Sequence, residues 1–185
     1  VGVAFSYQIA ATNAPTSYGA TGLPANLTIN TATGQISGTP AAGGSTMVTI
    51  SATSGAQTGS ATLTINIGLV AQTITFGAQA SPVVFASGGT FAINPVATGG
   101  ASGNPIVYSS TTAGVCSVSG STVTMLSAGI CTIAANQAGN ATYAAGAQVT
   151  RNVSITGVAP AAPTIGTATA GNTQATIGFS PPANT

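Results

Sequence analysis

The 185 residues contain no aspartate, glutamate or histidine and a single cation, Arg151, so charged side chains make up 1% of the chain where an ordinary soluble domain carries about 25%. That inventory excludes general acid–base chemistry, which needs a side chain whose proton moves near working pH, and leaves a Ser or Cys nucleophile without a base. It likewise excludes metal sites built from carboxylate or imidazole ligands and nucleic-acid binding through several phosphate contacts, so no catalytic residue, metal or cofactor is expected.

The first stretch alternates Val3, Phe5, Tyr7 and Ile9 with Ala4, Ser6, Gln8 and Ala10, the period of a strand with one face in a core. Val1 opens directly into this stretch with no signal or targeting segment visible, which reads as a mature product or an internal fragment. Residues 22–40, GLPANLTINTATGQISGTP, are rich in turn formers around Leu23, Leu27, Ile29 and Ile36. Val48, Ile50 and Ala52 repeat the alternation, as do Leu63, Ile65 and Ile67, and residues 1–67 therefore read as one small β-sandwich. Its FSYQIAAT, GLPANLTINTATGQISGTP, VTISAT and LTINI segments resemble an immunoglobulin-like family common in bacterial surface proteins and related to cadherin-like dystroglycan modules. Relative to that family, the leading edge strand is mostly absent, and the acidic residues through which cadherin-like relatives bind calcium are missing altogether.

Alternation restarts over residues 68–156, at Ile74 and Phe76, Val83 and Phe85, Phe91 and Ile93, Ile106 and Tyr108, Val123 and Met125, Ile133, and Val149, Val153 and Ile155. Seven or more short strands separated by turn residues predict a second sandwich. Cys116 and Cys131 read as one disulfide, hence an exported protein, with two buried free thiols as the other reading. QTITF at 72–76 and the long run from Tyr108 to Ala145 resemble a bacterial immunoglobulin-like repeat whose paired cysteines fall at Cys116 and Cys131, with Ser-Ala-Gly as the turn before the second.

Residues 157–185 open on a Pro/Ala linker, followed by two strand-like runs around Ile165 and Ile177. They resemble the beginning of a fibronectin type III domain, with Phe179 where that family more often has tryptophan. The fold class is thus all-β: tandem immunoglobulin-like sandwiches followed by an incomplete third β unit.

Three groups of residues merit a functional reading. Arg151 shares the inward parity of Val149, Val153 and Ile155, either as a strand-end arginine whose stem covers apolar surface or as a contact to a neighbouring chain. Ile177 and Phe179 are the candidate partners of a neighbouring subunit. Tyr7, Tyr18, Tyr108 and Tyr143 could stack on sugar rings, although alternation assigns Tyr7 and Tyr108 to the core and the local sequence assigns Tyr18 and Tyr143 to turns.

No apolar run reaches the roughly 18 residues that a spanning helix needs, so no membrane span is expected. Near-zero net charge and the absence of lysine from every strand leave sheet edges unguarded, and self-association is the expected consequence. The leading functional expectation is a structural extracellular or cell-surface protein, a fibre, filament or stalk subunit polymerising by strand donation. The alternative is an adhesin or a carbohydrate-binding module, with a glycan ligand, in a larger secreted protein. A window cut from a longer tandem array explains the apparent chain ends equally well.

Overall fold

The computed structural model describes residues 1–159, 162, 164–170, 172 and 175–180, the last two strands by their backbone alone. Six strands form the first sandwich: β1 (Phe5–Gln8), β2 (Ser17–Thr21), β3 (Leu27–Asn30), β4 (Gln35–Gly38), β5 (Gly44–Ser54) and β6 (Gln57–Ile67). They make two antiparallel sheets, ordered β1-β4-β3 and β2-β5-β6. The turn-rich segment supplies β3 and β4, whose Leu27 and Ile36 meet Ile9, Val48 and Ile65 in a buried cluster. Burying each such aliphatic side chain contributes about 1.5–3 kcal/mol.

Two expectations fail in this region. Val3 does not join the core and is 73% exposed, because the β1 ladder begins at Phe5 opposite Gly38 and the chain ahead of it turns away to bond Gly2 N–H to the Pro40 carbonyl at 3.0 Å. Tyr18 lies in β2 rather than in a turn, half-buried against the core, with its ring over Gly34 where a β-carbon would stand only 2.8 Å away.

Seven strands form the second sandwich: β7 (Val83–Val84), β8 (Thr90–Ala92), β9 (Ile106–Ser110), β10 (Cys116–Ser119), β11 (Thr122–Met125), β12 (Gly129–Gln137) and β13 (Gly146–Thr156). One sheet runs β7-β13-β12-β9 with β7 parallel to β13, and the other runs β10-β11-β8. Phe76, Ile93, Val123, Ile133, Val153 and Ile155 fill the space between them. Ile74 and Phe76 are buried as their alternation requires, yet only Thr75 enters a bridge, with Thr98, so this stretch packs like a strand without extending a ladder.

Cys116 and Cys131 form a disulfide between β10 and β12, and therefore between the two sheets, with Cα atoms 5.6 Å apart. The Ser-Ala-Gly sequence does form the turn into β12, with Gly129 at φ 143°. β14 (Thr164–Ala170) and β15 (Ala175–Ser180) pair antiparallel with each other and, among the described residues, with no other strand.

Candidate assembly site

Two features stand out in a molecule without acidic or histidine side chains: an open strand edge at one end of the first sandwich, and the joint between the sandwiches at its other end. Among the described residues β6 pairs only with β5. Its first six residues, Gln57 to Thr62, are all exposed, and none is charged or proline. Edges of this length are normally blunted by lysine, proline or a bulge, and the β5–β6 register runs without interruption from Gly44↔Ile67 to Ser54↔Gln57.

The inward-facing positions of β6 explain why this end stays open. Leu63 and Ile65 face the core, but the same parity continues to Ala61 and Gly59, which are too small to close the gap to the opposite sheet. The result is a groove of about 540 Å³, floored by Ile50, Ala52 and Ala61 and bounded on its far lip by Ile9–Asn13 and Pro15. Asn13 and Ala14 both have positive φ, 63° and 45°, a conformation that costs a non-glycine residue about 1 kcal/mol or more. Thr16 N–H bonds the Thr53 carbonyl at 2.7 Å and Ser54 Oγ donates to the Ala14 carbonyl at 3.5 Å, tying the lip to the end of β5.

At the opposite end of β6 the chain passes through residues 68–71 into the second sandwich, where backbone bonds pin the connecting segment and one more crosses from the first sandwich to the second. Val70 N–H donates to the Thr142 carbonyl and Ala144 N–H to the Val70 carbonyl, each at 2.9 Å, while Gly43 N–H reaches the Ala141 carbonyl at 2.8 Å. Thr142 Oγ1 adds a longer contact to the Ala41 carbonyl at 3.4 Å.

The loop that accepts these bonds is itself held by amides. Asn140 Oδ1 accepts from Thr142 and Tyr143 N–H, and its Nδ2 donates to the Ser102 carbonyl. Gln137 and Gln72, both buried, reach the 100–104 loop: Gly100 N–H donates to Gln137 Oε1 at 2.7 Å, Gln137 Nε2 donates to the Asn104 carbonyl at 2.8 Å, and Ser102 N–H donates to Gln72 Oε1 at 2.9 Å. Neutral amides here do the cross-bracing that ion pairs do in charged proteins, and among the described residues no buried side-chain polar atom lacks a partner.

The sequence-predicted residues fall apart spatially. Arg151 sits mid-strand in β13, opposite Ile133, half-buried, with Nη1 donating to the Thr150 carbonyl at 2.9 Å. It is therefore not a strand-end arginine; β13 continues five residues past it because Val153 and Ile155 still face the core. Ile177 and Phe179 belong to β15, opposite Ala168 and Ile165, and their side chains lie outside the described residues.

The tyrosines are occupied. Tyr7 and Tyr18 pack on the first core, Tyr108 stacks on Phe76 at 5.6 Å and accepts Ala97 N–H at 2.6 Å, and Tyr143 lies in the joint loop. Sequence reading missed the Gln72, Gln137 and Asn140 network; the signal available was the Asn140-Ala-Thr142 triplet and the Gly99-Gly100 pair, which by themselves do not distinguish a brace from a solvated loop.

No curated protein matches the sequence. Among solved structures, the surface layer protein SbsC, domains 1–6, aligns with 89% of this chain at 15% identity and a TM-score of 0.32, and the chain spans 28% of its length. A C-terminal fragment of intimin, in complex with the intimin-binding domain of the translocated intimin receptor, aligns with 88% of this chain and 58% of its own at 17% identity and a TM-score of 0.32. Residues 1–68 match the family described as "Putative Ig domain", the immunoglobulin-like family that the strand and turn motifs of that stretch resemble.

Proposed function

We propose that this chain is a structural protein of the cell exterior, a subunit of a fibre, filament or stalk in which immunoglobulin-like sandwiches supply length and whose copies associate by strand addition. In this reading residues 1–67 and 68–156 are separate domains, the second a bacterial immunoglobulin-like repeat, and residues 157–185 are a linker and fibronectin type III-like strands. The observation that carries the reading is the joint. Domains of one chain ordinarily move relative to each other, whereas here a backbone hydrogen bond from Gly43 to Ala141 crosses between the sandwiches, two more pin Val70, just past β6, to Thr142 and Ala144, and the loop they meet is braced by Asn140. A spacer needs that stiffness; a catalyst or a flexibly tethered binding module does not.

The inter-sheet disulfide supports an oxidising exterior location. The adhesin and carbohydrate-binding alternative has less behind it, since the rings of Tyr7, Tyr18 and Tyr108 pack on the two cores. Distance distributions between spin labels at Thr49 and Thr150, one on each sandwich, test the reading. A single narrow distribution is expected; a broad one, reporting a free hinge, would overturn the spacer role whatever the state of association.

A further inference from the structure

The structure assigns a specific docking site to self-association: the groove beside the free edge of β6 receives β15 of a second copy, which adds as a strand carrying Ile177 and Phe179 at alternate positions. This rests on the fibre reading above and names its contact. Four observations lead to it. First, β6 offers unpaired backbone groups over an exposed, uncharged edge, and strand addition is how such edges are recognised. Second, the groove of about 540 Å³ has an apolar floor and small residues at Gly59 and Ala61, so it accommodates large side chains brought by an incoming strand at alternate positions. Third, β15 carries its large apolar residues two apart in the sequence, at Ile177 and Phe179, and β14–β15 pairs with nothing else among the described residues. A lone two-stranded unit is marginal in water.

Fourth, the groove and the end of β13 that leads towards β14 lie on opposite sides of the joint. β6 runs 11 residues from the groove at Gln57 to the joint at Ile67, about 33 Å at about 3.3 Å per residue. β13 then carries the chain away from the joint, from Ala144 bonded to Val70 towards Thr156, before β14 begins. The chain therefore leaves the second sandwich at the end away from the groove, which leaves β15 for the groove of the next copy. Such a head-to-tail contact is heterologous and propagates as a filament wherever its rotation does not close a ring. No charge opposes it, because neither the groove nor β15 has any.

Pairwise cysteine cross-linking in the full chain tests the assignment. Mixing Ala61→Cys with Ile177→Cys chains under mild oxidation should yield inter-chain dimers, and the double variant a ladder; Thr150→Cys paired with Ile177→Cys is the control. Gly59→Phe fills the groove where a β-carbon meets nothing within 4 Å, so it should weaken association at least about tenfold, a difference of about 1.4 kcal/mol, while leaving the melting temperature of the first sandwich unchanged or raised. Ala61→Lys, an inward charge at the edge, should do the same.

A monomeric wild-type chain, cross-linking no greater than the control, or Gly59→Phe chains that associate normally would each overturn the assignment. Binding of a synthetic 175–180 peptide without association of whole chains would overturn the second copy as the occupant. A narrow label distribution from Thr49 to Thr150 in the same preparations would leave the spacer role standing.

Discussion

At the level of single residues, stability in this molecule depends on neutral contacts whose removal has sharp costs. Gln137 is 4% exposed and satisfies Gly100 N–H and the Asn104 carbonyl at once. Gln137→Met keeps the volume but strands both backbone groups, and each buried unsatisfied group costs about 1–3 kcal/mol. Chemical denaturation of the variant should therefore show the second sandwich destabilised by about 2–5 kcal/mol, with the transition of the first sandwich unmoved; a loss below about 1 kcal/mol would mean that water replaces the amide. The disulfide is the other concentrated contribution. It closes a loop of 15 residues, for which the loop-entropy account gives about 3 kcal/mol. Replacing both Cys116 and Cys131 by alanine should lower the stability of the second sandwich by that amount or more, since both sulfurs are fully buried and their loss leaves a cavity. Arg151 contributes differently: its stem lies along the ladder beside Ile133 and its head is held by a carbonyl. Arg151→Gln is expected to leave association unchanged, as measured by sedimentation.

At the level of elements, what sequence reading could recover depended on whether burial came from alternation or from loops. Period-two alternation located β1, β5, β6, β9, β11 and β13, because one face of each packs on a core and the parity of Val48, Val123 or Val153 is forced, whereas β12 was marked by Ile133 alone. It failed at Val3, where the alternation outlasts the ladder, and it understated β6, whose first half alternates Gly and Ala with hydroxyl residues and so carries no hydrophobic signal. That same weakness in pattern is what opens the groove, so the candidate site was invisible for the reason that it exists. The joint was equally hidden, since hydrogen bonds among Val70, Thr142 and Ala144 involve main chain and leave no mark on side-chain identity. Glycine does mark it. A β-carbon on Gly139 would strike the Tyr143 carbonyl oxygen and the backbone of residues 144 and 145, which cannot move aside as a side chain would. Gly139→Val should therefore displace the 140–144 loop, release the bonds to Val70 and Gly43, and broaden the Thr49–Thr150 label distances while each sandwich keeps its own core. An unchanged narrow distribution would place the stiffness of the connection elsewhere.

For the molecule as a whole, the absence of charge sets how it responds to its surroundings. Stability changes with pH only in proportion to the difference in bound protons between unfolded and folded chains. The side chains that take up protons between about pH 3 and pH 7 are those of Asp, Glu and His, and the chain has none, which leaves a terminal carboxyl as the one group titrating there. No carboxylate is held low by a folded-state partner and no imidazole is held high, so neither direction of linkage operates and there is no window in which stability is lost on acidification. The melting temperature should accordingly stay within about 5 °C from pH 7 to pH 3.5, equivalent to a change of no more than about 1 kcal/mol. Salt should matter equally little: with Arg151 the sole charged side chain, screening has no ion pair or repulsion to act on. Association through backbone pairing and apolar insertion inherits the same indifference, and light scattering across the pH series should give a constant particle size, whereas assemblies held by ion pairs dissolve as carboxylates protonate. A fall of more than about 10 °C in melting temperature at pH 3.5, or dissociation in acid, would show that protons bind somewhere that the side-chain inventory does not contain, and would remove electrostatic neutrality as the basis of both stability and assembly.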